Sequence, residues 1–237
     1  MVRRRLKVRL ALRAAALNTA LGLAVMAAAI PAVIPFAAHA ANSVNPPEAA
    51  KPVIVVLGDS ISAEYGLPRD TGWVALMRQR LASERIDYSV ANASISGDTT
   101  SGGRARMPEL MQRLKPSIVI VELGANDALR GVPLATTEDN LRTIIEQAQQ
   151  GHAKVVLIGM YVPPNYGPDY TQKFHGVYEQ LSKEFHLPLV PFLLAGIADK
   201  PEMFQSDQIH PTQQAQGVLL NNVWPTLKPL LNASSSH

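Results

Sequence analysis

Three stretches of nearly uninterrupted aliphatic residues constrain this chain more than any other feature: Pro52–Leu57 (PVIVVL), Ser117–Leu123 (SIVIVEL) and Lys154–Met160 (KVVLIGM). They are too short for core helices and lack the alternation of a strand with one wet face. They fit strands buried on both faces. Two weaker runs, Asp87–Ala91 and Leu187–Phe192, make five. Helix-like segments lie between and after them at 72–85, 102–114, 135–150, 170–186 and 212–231. This alternation predicts βαβ units and an α/β fold, a three-layer α/β/α sandwich around a parallel sheet. In open sheets of this kind ligands bind beyond the carboxyl ends of the strands, so those ends are where chemistry is sought.

The formal charge of +3 hides an uneven distribution. The first 40 residues carry six basic side chains and no acid, leaving 16 basic and 19 acidic residues for the rest. The body therefore has no basic footprint for nucleic acid. Residues 1–40 read as an export signal, with a basic start, an apolar middle and Ala38-His39-Ala40 as a small-x-small cleavage site. The longest apolar run, Ala20 to Ile30, is shorter than the roughly 20 residues that span a bilayer, and Pro31 and Pro35 interrupt any longer helix. No stable membrane insertion is expected once the signal is removed. Residues 41–51 form a polar, proline-containing linker, and 52–237 form one domain. The chain has no cysteine, which excludes disulfides, a thiol nucleophile and thiolate zinc.

After the first strand comes Gly58-Asp59-Ser60-Ile61-Ser62. A serine at a tight strand-to-helix turn is either an N-cap or a nucleophile whose alkoxide the nearby N–H groups favour. The second strand is followed by Ser96-Gly97-Asp98-Thr99, where a glycine lets a backbone N–H approach a ligand and Asp98 or Thr99 caps the next helix. Gly124-Ala125-Asn126-Asp127 follows the third strand; Asn126 can donate a side-chain N–H toward the same crevice, and Asp127 reads as a structural cap. In Ser206-Asp207-Gln208-Ile209-His210-Pro211, three-residue spacing lets a carboxylate accept from imidazole Nδ1 and leaves Nε2 free to act as base. Pro211 then opens the final helix. His152, His175, His186 and His237 have no such partner and read as structural.

GDSIS, the glycine of ISGDT, GAND and DQIHP, in that order, resemble the four sequence blocks of the SGNH (GDSL-type) hydrolases. The segments MYVPPNYGPDYTQKFHGVY and KEFHLPLVPFL are similar to the branch of that family comprising the periplasmic multifunctional acyl-CoA thioesterase, lysophospholipase and arylesterase. The resemblance implies a flavodoxin-like fold with five parallel strands in order 2-1-3-4-5. It implies Ser60 as nucleophile, His210 as general base and Asp207 as its orienting carboxylate. The oxyanion donors would be the backbone N–H groups of Ser60 and Gly97 and the side chain of Asn126. No metal or organic cofactor is implied. The substrate would be a small-molecule acyl ester or thioester, lysophospholipid included.

The family's acyl groove is roofed by the loop after the fourth strand, here residues 162–170. Leu67, Trp73, Tyr166 and Ile209 are expected to give it apolar surface. Glu64 stands where the family usually has glycine and is expected to narrow or charge its rim. The branch resemblance further implies a monomer, exported to the periplasm or secreted. Two competing readings of the same residues are a carbohydrate O-deacetylase and a ligand-binding module without turnover.

Overall fold

The structure, a computed structural model, describes residues 51–231. The expected export signal (1–40), the linker (41–51) apart from Lys51, and the terminal ASSSH stretch lie outside the described residues. Five parallel strands form one sheet: β1 (Val53–Gly58), β2 (Ser89–Asn92), β3 (Ile118–Glu122), β4 (Lys154–Ile158) and β5 (Leu189–Val190). Their spatial order is β2-β1-β3-β4-β5, as the resemblance implied. The helices are α1 (Trp73–Ser83), α2 (Thr100–Leu114), α3 (Ala125–Leu129), α4 (Leu134–Gln150), α5 (Pro168–Glu184) and α6 (Gln216–Leu231). α1 packs with α6, whereas α2 packs with α4 and α4 with α5.

The aliphatic runs become strands because both of their faces are covered. Ile54, Val55, Val56 and Leu57 of β1 and Ile118–Val121 of β3 are sealed from water. The helices follow their own apolar spacing: α4 buries Leu141, Ile144, Ile145 and Ala148, and α5 buries Phe174, Val177, Tyr178 and Leu181. Thr99 caps α2 by accepting the Gly102 N–H at 3.3 Å.

Three expectations need correction. β5 is two residues long instead of spanning 187–192, because Pro188 and Pro191 flank it and cannot donate to the ladder. Pro188 takes part only through its carbonyl, which accepts from the Leu157 N–H at 3.1 Å. Pro211 does not open the last helix. It pairs with Phe204 in an isolated bridge, and a 3₁₀ turn over Gln213–Ala215 leads into α6. The five-residue α3 was not anticipated, being too short to show a helical period. Among the described residues no helix is long and apolar enough to cross a membrane.

β1 and β3 are in register so that Gly58 lies opposite Glu122. A Cβ on Gly58 would sit 2.7 Å from Glu122 Oε2 and 2.8 Å from Ser62 Cβ. Gly58→Ala is therefore expected to cost about 1–3 kcal/mol through overpacking and to lower the thermal midpoint by several degrees, as read by circular dichroism melting.

Candidate active site

The chain reverses directly after β1. Ala63 N–H bonds to Asp59 O at 2.9 Å and Tyr65 N–H to Ser60 O at 3.1 Å, closing a tight turn. Asp59, not Ser60, caps it: Asp59 Oδ1 accepts the Ile61 N–H at 3.0 Å. The Ser60 hydroxyl is thereby left for another partner. Its Oγ lies 2.9 Å from His210 Nε2, and His210 Nδ1 lies 2.8 Å from Asp207 Oδ2. Asp207 Oδ1 accepts the N–H groups of Ile209 and His210 at 2.9 and 3.0 Å. The His210 backbone N–H, then the His210 ring and the Ile209 N–H, hold the Asp207 carboxyl down to about 2. An ionised Asp207 keeps the imidazole proton on Nδ1 and turns the Nε2 lone pair toward Ser60.

The loop carrying His210 is tied to the turn carrying Ser60. Gln205 N–H donates to His210 O at 2.8 Å, and its side-chain amide donates to Tyr65 O at 2.8 Å. The Tyr65 ring lies 4.4 Å from the His210 ring.

The other two expected donors lie after β2 and β3. Gly97 adopts φ +77°, a left-handed conformation that favours glycine, and the Arg130 guanidinium donates to its carbonyl at 2.8 Å. Asn126, in the first turn of α3, donates one side-chain N–H to Asp59 Oδ2 at 3.1 Å. Among the described residues, the backbone N–H groups of Ser60 and Gly97 find no protein acceptor. Asp127 is structural: it is buried, and its carboxylate accepts the Thr100 N–H at 2.9 Å and the Thr100 hydroxyl, thus capping α2 from across the site.

Two acids escaped the sequence reading. Asp59 and Glu122 are 1% and 2% exposed and meet beneath the turn. Glu122 Oε2 accepts the Ser62 hydroxyl at 2.6 Å and the Asp59 N–H at 3.3 Å, and Trp73 Nε1 donates to Ser62 Oγ at 3.1 Å. Burial, and then the charge of Asp59, push Glu122 well above the carboxylate range. Burial likewise lifts Asp59 to about 6, against the pull of the Ile61 N–H. The arrangement favours one negative charge, on Asp59, with Glu122 neutral.

A groove of about 1080 Å³ runs alongside, lined near the serine by Ile61, Ala125 and Ile209 and beyond by Met160, Val162 and Phe192. Of the residues expected to face substrate, Ile209 lines it. Trp73 does not: it is fully buried in the core. Leu67 and Tyr166 are half-buried off the groove, Tyr166 stacking on Tyr170 with ring centroids 5.9 Å apart. Glu64 is not a rim charge. The turn gives it φ +61°, a conformation that suits the glycine usual there, and its carboxylate folds back to accept the Asp70 and Gly72 N–H groups at 3.0 and 2.8 Å. Residues 162–170 do contribute wall, through Val162, Pro163 and Pro168.

Sequence reasoning missed Tyr161, which lies flat on His175 at 3.9 Å and edge-on to Phe192 at 4.9 Å. Its signal was its address just past β4. The same address marks a wider pattern. The exposed large apolar side chains among the described residues are Tyr65, Ile95, Leu129, Tyr161 and Ile209, one from each segment between a strand and the next long helix, Leu129 closing the short α3.

A family model for GDSL-like lipases and acylhydrolases matches residues 56–218. The esterase TesA of Pseudomonas aeruginosa is 50% identical to this chain over 184 residues, which are 78% of this chain and 92% of TesA. The thioesterase 1/protease 1/lysophospholipase L1 of Escherichia coli K12 is 40% identical over 79% of this chain and 88% of its own length. Among solved structures, a crystal structure of TesA aligns with TM-score 0.74 at 50% identity, covering 75% of this chain and 99% of that one. The psychrotrophic esterase EstA from Pseudoalteromonas sp., in a structure inhibited by monoethylphosphonate, gives TM-score 0.72 at 37% identity, covering 76% and 98%.

Two expectations follow from the geometry. With Asp59 and Glu122 raised in the folded state, the folded chain holds more protons than the unfolded one above about pH 4, so their contribution to stability is full below that pH and is lost as pH rises. Glu122→Gln removes one such group, so in urea titrations the variant gains on wild type as pH rises above about 4, by about 1.4 kcal/mol per pH unit over which the two states differ. Glu64→Gly relieves the left-handed strain but loses both accepted hydrogen bonds. It is expected to speed tryptic cleavage at Arg69 while leaving preference among ester chain lengths unchanged.

Proposed function

The chain belongs to the GDSL-like lipase/acylhydrolase family and is an ester hydrolase, and we propose that it acts through a Ser60-His210-Asp207 triad on acyl esters and thioesters, lysophospholipids among them. The observation that carries the triad is the continuous path from Asp207 Oδ2 through the imidazole to Ser60 Oγ, with links of 2.8 and 2.9 Å. Ser60 Oγ attacks the carbonyl carbon while its proton passes to His210 Nε2. The imidazolium so formed faces ionised Asp207. The carbonyl oxygen becomes an oxyanion beside the Ser60 and Gly97 N–H groups and the second N–H of Asn126. Collapse breaks the bond to the alcohol or thiol, which leaves with the proton from His210. Water then attacks the acyl-serine, giving its proton to the same nitrogen, and the acid departs with Ser60 restored.

The apolar groove beside Ile61 and Ile209, lined also by Leu129, Tyr161 and Phe192, supports an acyl chain longer than acetyl as substrate. Loss of the first 40 residues on export and action as a soluble monomer in the periplasm or outside the cell complete the proposal. The basic start and Ala38-His39-Ala40 support the first part.

Hydrolysis of p-nitrophenyl esters from two to sixteen carbons tests the reading. Activity is expected to peak at medium or long chains. Ser60→Ala is expected to lower kcat at least about 10⁴-fold and to abolish labelling by an organophosphonate. Activity confined to acetate would point to a deacetylase. Labelling or turnover that survives Ser60→Ala would sink the triad.

A further inference from the structure

We propose that Asp59 is a positioning residue for the hydrolysis: it aims the Asn126 amide so that the second N–H of that amide enters the oxyanion hole. The inference rests on the serine mechanism above. An ionised carboxylate is acceptor-only, and the two oxygens of Asp59 serve two donors: Oδ1 takes the Ile61 N–H at 3.0 Å and Oδ2 takes Asn126 Nδ2 at 3.1 Å. Because Asp59 can only accept, it dictates which end of the Asn126 amide faces it. A flipped amide would set oxygen against oxygen and turn its own carbonyl, not an N–H, toward the developing charge. Among the described residues, no other hydrogen bond of the Asn126 side chain fixes this choice. Asp59 is also the residue before Ser60, so one side chain sets both the turn that presents the nucleophile and the donor that receives the oxyanion.

The surroundings suit that duty. Glu122 of β3 lies against the Asp59 backbone N–H and, kept neutral by burial, leaves the single charge to Asp59. The charged groups that act on Asp59 are His210, which draws it down, and Asp98, which opposes its ionisation. Protonation turns one Asp59 oxygen into a hydroxyl that can donate, and an asparagine puts an NH2 group there, so neither imposes on Asn126 the acceptor-only constraint of the carboxylate.

The test compares wild type, Asp59→Asn, Asn126→Ala and the double variant on p-nitrophenyl butyrate, with thermal midpoints alongside. Asp59→Asn should lower kcat roughly 10–100-fold with KM within about twofold, a part of the 10²–10³ expected for losing an oxyanion donor. In the Asn126→Ala background the same change should cost less than about twofold, because there is no amide left to aim. The gap between wild type and Asp59→Asn should narrow as pH falls through about 6, and that narrowing should be absent in the Asn126→Ala background. Equal losses in both backgrounds would show that Asp59 acts through the turn alone. Narrowing that persists without Asn126 would show that it acts on His210. Either result overturns the proposal while leaving the triad standing. Failure of wild type to take an organophosphonate on Ser60 would remove both.

Discussion

Gly58 and Glu122 face each other in the ladder between β1 and β3, and the site is suspended from that pairing. Because Gly58 has no side chain, the Glu122 carboxyl can pass beneath the turn and bind the Ser62 hydroxyl and the Asp59 N–H. Those contacts pull the turn down onto the sheet, with the Trp73 indole closing it from the side. Asp59 is then buried with its carboxylate between Ile61 and Asn126, and Ser60 is left pointing at His210. The reactive face is thus assembled from beneath, by dry polar contacts whose penalties for disruption are larger than those of surface bonds.

The parts legible in the sequence were those written in local chemistry. Branched aliphatic runs gave the central strands, because strands buried on both faces need no polar alternation. GDSIS, ISGDT and GAND follow the ends of β1, β2 and β3, and DQIHP lies in the long loop between β5 and α6. What stayed hidden depends on depth and direction. Glu122 ends the run IVIVE and looks like a strand reaching water, yet it is sealed. Trp73 looks like groove lining and is core, because α1 presents it to the Ser62 side of the turn. Glu64 shares no helical face with Ser60, since the turn leaves the helical region at that residue. The prolines that cut β5 short were visible, but their effect depends on which neighbour needs a donor.

The groove shows a different economy from the triad. Its walls are the segments after β1, β4 and β5 together with α3 and α5, stiffened by ring contacts such as Tyr161 on His175 and Phe192. The Ser60-His210-Asp207 chain hangs on two hydrogen bonds, the groove on shape and surface. Substitutions in the loops can therefore alter which ester is accepted without touching the proton path, a separation that sheet folds with rim sites allow.

The tie between Gln205 and Tyr65 has a consequence in time. It joins segments 140 positions apart, and the bond from His210 to Ser60 spans 150. Contacts of such separation close late in folding, after local helices and neighbouring strands have formed. During synthesis the Ser60 turn leaves the ribosome well before His210, and α6, whose Gln216 accepts the Trp73 N–H at the start of α1, follows both. A nascent chain can thus carry the complete Ser60 turn without the imidazole that hydrogen-bonds to it. That contact closes only when the segment after β5 has docked, so its formation times a late step of folding.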